Sequence, residues 1–203
     1  MQYQTILAFS GITEVLYLGP GSHLLRNWRA RHKCLFLNLS KAFNTLDHII
    51  LIAKLKYYGL DESAITWFQS YLCNRFQYVE IDGIKSEPRR VNTGVPQGSI
   101  LGPLLFIIYM NDINHASNIF QSILYADDTS LNSTMSIFSN GSHEPLSPKI
   151  NAEINLIFEW LSANKLSLNV GKTKYMIFRH PQTPLSKIPK LELSVNGVVI
   201  KKG

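Results

Sequence analysis

Ile123-Leu-Tyr-Ala-Asp-Asp-Thr129 is an apolar run that ends in two adjacent carboxylates, Asp127 and Asp128, with polar residues after them. Apolar alternation up to Tyr125 predicts a strand, and the Asp-Asp pair predicts the turn of a hairpin. Side-by-side like charges repel, so two readings compete. One is a solvated turn between strands. The other is a pair held at a strand end by a compensating cation. Carboxylate oxygens together with substrate phosphates suit Mg²⁺.

A second stretch upstream favours the cation. Asn92-Thr-Gly-Val-Pro-Gln-Gly-Ser-Ile-Leu-Gly-Pro-Leu-Leu-Phe106 is a loop punctuated by Gly94, Pro96, Gly98, Gly102 and Pro103 that opens into an apolar helix. Glycine lets backbone approach a ligand closely, and the Gln97 amide both donates and accepts hydrogen bonds. A third stretch is Cys34-Leu-Phe-Leu-Asn-Leu-Ser-Lys-Ala-Phe-Asn-Thr-Leu-Asp-His48.

Together these stretches resemble the palm motifs of reverse transcriptases, RNA-directed DNA polymerases. The Leu-Gly-Pro-Leu-Leu-Phe continuation is similar to LINE-type retrotransposons, which lack long terminal repeats. The resemblance implies an α+β polymerase palm, an antiparallel sheet backed by helices, with partial fingers. It implies nucleotidyl transfer at a two-metal Mg²⁺ site. The implied partners are an RNA template, a DNA primer and a deoxynucleoside triphosphate.

The family pattern for the third stretch has Asp where this chain has Asn38 and Asn44. The first of those is the family's metal-bridging carboxylate. The resemblance therefore implies catalytic and metal positions at Asp127, Asp128 and Asn38, the last without its carboxylate. The backbone carbonyl of Leu39 is the implied ligand of the nucleotide-side metal. Asn38 offers one neutral oxygen where two cations need anionic ones, so the copy is expected to be degenerate and impaired. Asn44, read alone, is a helix-cap candidate.

Three more positions carry over. Phe43 is implied to lie under the nucleotide sugar, Gln97 to touch the sugar and base, and Lys172, in Asn169-Val-Gly-Lys-Thr-Lys174, to lie near the leaving phosphates. Read alone, Phe43 is core, Gln97 a loop amide and Lys172 a solvated turn lysine. The basic clusters Arg26, Arg29, Arg31, Lys33 and Arg89, Arg90 read either as phosphate contacts or as solvated basic faces.

Composition agrees with a polyanionic partner. The 203 residues carry 45% hydrophobic and 17% charged side chains, a formal net charge of +6 and a pI of about 9.3, which is globular and basic. Cys34 and Cys73 form no metal-ligand spacing and read as two buried, reduced thiols of an intracellular protein, in cytoplasm or nucleus. Met1–Leu18 lacks a basic leader, and Ile100–Met110 is too short to span a bilayer, so no membrane is expected. Oligomeric state leaves no mark in the sequence.

Domain organisation is expected as a degenerate or truncated fingers region at 1–33 and a palm at 34–203, without thumb or endonuclease. Within the palm, strands are predicted at Cys34–Leu39 and Lys174–Phe178. Hairpins are predicted around Asp82-Gly83, the Asp-Asp pair and Asn196-Gly197. Helices are predicted at Thr45–Tyr58, from the Asp61 cap to Cys73, at Ser99–Ala116, and after a Ser147 cap with Pro148 in the first turn. The functional reading is a reverse transcriptase domain impaired at Asn38. The alternative is a catalytically dead nucleic-acid-binding remnant or a functionless fragment.

Overall fold

The computed structural model describes residues 32–125, 127–133, 146–178 and 191–203. The elements run β1 (His32–Leu37), α1 (Ala42–Thr45), α2 (His48–Tyr57), α3 (Glu62–Leu72), β2 (Arg75–Gln77), β3 (Glu80–Ile81), β4 (Ile84–Lys85) and β5 (Arg89–Val91). Then come α4 (Leu101–Met110), a 3-10 turn at Ile113–Ala116, β6 (Gln121–Tyr125), β7 (Asp128–Ser133), α5 (Leu146–Ala163), β8 (Lys174–Phe178), β9 (Ser194–Val195), β10 (Val198–Val199) and β11 (Lys201–Lys202).

Five strands form the main sheet in the order β11-β8-β1-β7-β6. β1 is central, antiparallel to β7 on one side and to β8 on the other. β11 adds a short parallel edge to β8. Burial alternates with the pleat, as a sheet covered on one face requires. Leu35, Leu37, Leu124, Thr129, Leu131 and Tyr175 are buried, whereas Phe36, Asn38, Tyr125, Asp128 and Lys174 are exposed. The buried face packs with α2, α4 and α5 through Leu51, Leu55, Leu105, Phe106, Tyr109, Ile154 and Leu161. The fold is thus an α+β palm, an antiparallel sheet backed by helices.

The hairpin signals hold. Asp82-Gly83 and Asn196-Gly197 both turn with positive φ at the two central residues, the backbone that Asn-Gly and Asp-Gly favour. Lys174–Phe178 is a strand as predicted. The first strand begins two residues earlier than expected, and Lys33 lies inside it, buried.

Two predicted helices are broken. Thr45–Tyr58 divides into α1 and α2, because Asp47 caps the second: its Oδ1 accepts from the N–H groups of Ile49 and Ile50 at 2.9 and 3.1 Å. Asn44 lies within α1 and caps nothing. Ser99–Ala116 becomes α4 followed by the 3-10 turn. Ser99 still acts at its start, accepting from the Gly102 N–H at 3.0 Å. Ser147 is inside α5, and its Oγ accepts from the Glu192 N–H instead of capping. Cys73 is exposed, against expectation. Cys34 is buried as expected, and burial pushes its thiol up to about 12.

A half-buried cation also ties the helices together. Lys54 Nζ donates to Asp112 Oδ1 at 2.5 Å and to the Tyr109 carbonyl at 2.6 Å. It also lies 4.9 Å from the Tyr109 ring centroid and 4.7 Å from that of Trp160. Burial lowers the Lys54 pKa, and Asp112 opposes that shift.

Lys165 Nζ donates to Asp47 Oδ2 at 2.6 Å. That bond, with the two α2 amides, holds the Asp47 carboxyl below its ordinary range. A depressed folded pKa stabilises above the unfolded value of about 3.9, and the contribution is lost as pH falls through the folded value. Asp47→Asn keeps a capping oxygen but loses the charge that meets Lys165 and the helix N-terminus, so it should cost about 0.5–1 kcal/mol at neutral pH and progressively less on acidification. Urea midpoints of both proteins across the acid range check this. A gap that stays constant with pH would count against it.

Candidate active site

The β6–β7 hairpin pairs Tyr125 with Asp128 at its turn end. Asp127 and Asp128 are both exposed at its tip. The β1–β7 ladder closes at Leu37 and Thr129. One step further in the same register, Asn38 falls opposite Asp128. Asn38 and Asp128 are exposed while their neighbours Leu37, Leu39 and Thr129 are buried. Positions 38, 127 and 128 are thus brought to one end of the sheet, at its open side, although some ninety residues separate the two segments. Strand alternation does this: the apolar residues that fix the register force the polar ones onto the other face.

The loop 92–99 is docked on the segment 43–48 that follows β1. Val95 N–H donates to the Phe43 carbonyl at 2.8 Å, and Gly94 N–H to the Leu46 carbonyl at 2.7 Å. The hydroxyl of Thr93 donates to the Asn44 carbonyl at 3.0 Å. The Gly94 carbonyl is met by His48 Nε2 at 2.8 Å and accepts from Arg75 Nη1 at 3.1 Å. Gly94 has φ +77°, and a Cβ there would lie 2.6 Å from the Asn44 Cα. No side chain fits.

Two of the substrate-binding candidates sit at this junction. Phe43 is half-buried, its ring 5.2 Å from that of Phe106 at 48°. Gln97 is exposed, and its Nε2 donates to Asn44 Oδ1 at 3.1 Å. The role of Asn44 is therefore to engage the Gln97 amide. No feature of position 44 alone could have shown this, because the two residues meet only through the Gly94 docking.

Lys172 is exposed in the turn before β8, on the other flank of β1. Its N–H donates to both the side-chain and main-chain oxygens of Asn169 at 3.1 Å. Asn169 N–H in turn donates to the Asn38 carbonyl at 2.7 Å. Lys172 thus belongs to the same end of the sheet as positions 38 and 128.

Leu39 is buried and bridges Leu168. Arg89 and Arg90 are exposed on β5, which pairs with β2 in a ribbon of its own, and Arg90 Nη2 donates to Asn74 Oδ1 at 3.3 Å. Arg26, Arg29 and Arg31 lie outside the described residues.

The donor set suits one divalent cation. Asp127 and Asp128 offer two carboxylates on one turn, in reach of solvent. Among the described residues, no group of three or more His, Cys, Asp and Glu side chains could hold a metal ion. Where a third carboxylate would complete such a group, the chain has the Asn38 amide. No described helix is long and apolar enough to cross a membrane.

Comparison with known proteins adds an independent line. A family model described as reverse transcriptase (RNA-dependent DNA polymerase) matches residues 6–198. The chain is 28% identical over 166 residues to the probable RNA-directed DNA polymerase from transposon BS of Drosophila melanogaster, covering 74% of this chain and 17% of that protein. It is 32% identical over 103 residues to the RNA-directed DNA polymerase from mobile element jockey of the same fly, covering 47% and 11%. The chain thus spans less than a fifth of the length of these relatives. Among solved structures it is similar in fold to telomerase from Candida albicans in complex with a telomeric RNA fragment. There the TM-score is 0.53 and the identity 13%, over 89% of this chain and 31% of that one. Apo telomerase from Candida tropicalis gives a TM-score of 0.52 at 12% identity, over 79% and 33%.

Proposed function

Because the chain belongs to the reverse transcriptase (RNA-dependent DNA polymerase) family, we propose that residues 34–203 serve as the palm of a retrotransposon polymerase whose nucleotidyl-transfer site is impaired at Asn38. Residues 1–33 are on this reading the remnant of fingers. The observation that carries the proposal is the shared sheet end: Asn38, Asp127 and Asp128 stand together, and the loop that bears Lys172 bonds the main chain of residue 38.

Asp127 and Asp128 would hold one divalent cation, with the Leu39 carbonyl as a further ligand. When bound, Mg²⁺ would neutralise the triphosphate and polarise the reacting phosphoryl group. The chain's own residues do the rest. Phe43, backed by the Phe106 ring, forms the floor for the nucleotide sugar. Gln97 presents its amide to the incoming nucleotide, its orientation set by Asn44. Lys172 offers a cation to the departing phosphates. The primer hydroxyl lacks the anionic bridge that residue 38 supplies in the family, so its activation fails.

A nucleic-acid-binding role without catalysis is the second reading, favoured by the same Asn38. The exposed Arg89 and Arg90 would then meet phosphates, with Arg26, Arg29 and Arg31 added to them.

Calorimetric titration with Mn²⁺ tests the cation site. Asn38→Asp returns an anion opposite Asp128 and is close to isosteric. It should tighten Mn²⁺ binding about tenfold or more relative to the parent, with the fold unchanged. Equal affinities would remove position 38 from the metal site.

A further inference from the structure

The loop 167–173 grips residue 38 from both sides. Ser40 N–H donates to the Ser167 carbonyl at 2.8 Å, and Asn169 N–H to the Asn38 carbonyl at 2.7 Å. Asn38 N–H donates to Thr173 Oγ1 at 3.2 Å. The Thr173 hydroxyl then donates to the Asn169 carbonyl at 2.9 Å. Thr173 is fully buried, at 0% exposure.

A buried, satisfied threonine is ordinarily a core residue. Two observations point further. The β1–β8 ladder ends at Phe36 and Lys174, so residue 38 lies beyond the last strand pair on that flank. The Thr173 hydroxyl supplies the acceptor that a strand carbonyl would otherwise provide. The loop it fastens is also the one that bears Lys172. Both main-chain polar groups of residue 38 are therefore set by a segment 130 residues away in sequence, and that segment also carries the exposed Lys172, proposed to meet phosphates.

We propose that Thr173 is a positioning residue: its buried hydroxyl fixes the main chain of residue 38 at the cation site and joins that site to the Lys172 loop. The inference rests on the reading of Asn38, Asp127 and Asp128 given under Proposed function. Hydrogen-bond partners behind metal ligands change affinity by about 10- to 100-fold when removed. A valine at 173 keeps the shape and removes the hydroxyl, leaving the residue 38 N–H without its acceptor.

The test titrates Mn²⁺ into the full chain carrying Asn38→Asp, alone and combined with Thr173→Val or Thr173→Ser, with thermal unfolding of each. Thr173→Val should weaken Mn²⁺ binding by about 10- to 100-fold. Thr173→Ser, which keeps the hydroxyl, should restore it. If Thr173→Val binds as tightly as its parent, the positioning role is overturned while the cation site stands. If a folded Thr173→Ser fails to restore affinity, methyl packing and not the hydroxyl is responsible, and the role is overturned again. If Asn38→Asp itself gains no affinity, the cation reading fails and takes the inference with it. Should Thr173→Val not fold, amide hydrogen exchange at residue 38 in the Asn38→Asp chain decides. Slow exchange, slowed further by saturating Mg²⁺, is expected. Fast exchange, or none of the Mg²⁺ effect, overturns the role.

Discussion

Asn38→Asp is expected to raise RNA-templated addition of a nucleotide to a DNA primer by on the order of 10³-fold over the parent chain, about 4 kcal/mol of barrier. The parent should give no sustained synthesis with Mg²⁺ or Mn²⁺. An amide carbonyl carries no net charge and presents one oxygen, so it cannot hold two cations against their mutual repulsion. A carboxylate of the same shape can. The exchange is nearly isosteric, and Asn38 is exposed with its main chain already fastened, so rate and not folding should change. Single-turnover extension of a labelled primer, with Asp127→Ala in the same background, measures it. The idea sinks if the parent already extends primers in a manner that Asp127→Ala abolishes.

Gly94→Ala should destabilise the chain by about 2–4 kcal/mol and unseat the loop 92–99. The methyl would meet backbone, the Asn44 Cα at 2.6 Å and carbonyl oxygens of Phe43 and Asn44 at 2.7 Å. Backbone cannot rotate away as a side chain can, and φ +77° adds strain for any L residue. The contacts at risk are those that bring Gln97 to Asn44 and lodge the Gly94 carbonyl between His48 and Arg75. Chemical denaturation gives the energy. A cross-check is the Phe43 environment by side-chain NMR, expected to change with Gly94→Ala and to stay put with Gly98→Ala, where a Cβ meets nothing within 4 Å. A Gly94→Ala protein as stable as the parent would show that the junction is looser than its geometry.

The apolar alternation and the turn dipeptides were enough to read the strands flanking the Asp-Asp turn, the Lys174–Phe178 strand and both Asx-Gly hairpins. These signals are local and lie within a few residues of the feature they specify. The helix breaks escaped because Asp47 sits inside a continuous apolar pattern, and the Lys165 that also holds its carboxylate comes from a distant segment. The same holds for the Lys54–Asp112 pair and for Asn44 with Gln97: each joins segments over fifty residues apart. That positions 38, 127 and 128 meet at one end of the sheet was legible from the motif resemblance. The Thr173 hydroxyl was not, since nothing marks a threonine as the partner of an amide 135 residues away.

β1 has its own consequence for how the molecule is made. It is the central strand of the sheet and the first described strand in the chain, yet Lys33 pairs with Ser133 on one side and with Ile177 on the other. A ribosome releases β1 long before either neighbour exists. Its Cys-Leu-Phe-Leu run then waits with both edges open, the kind of segment that other unfinished chains can adopt. High separation between partners also slows closure of the sheet. The sheet end that gathers positions 38, 128 and 172 therefore forms only after the segments that carry β7 and β8 have been made.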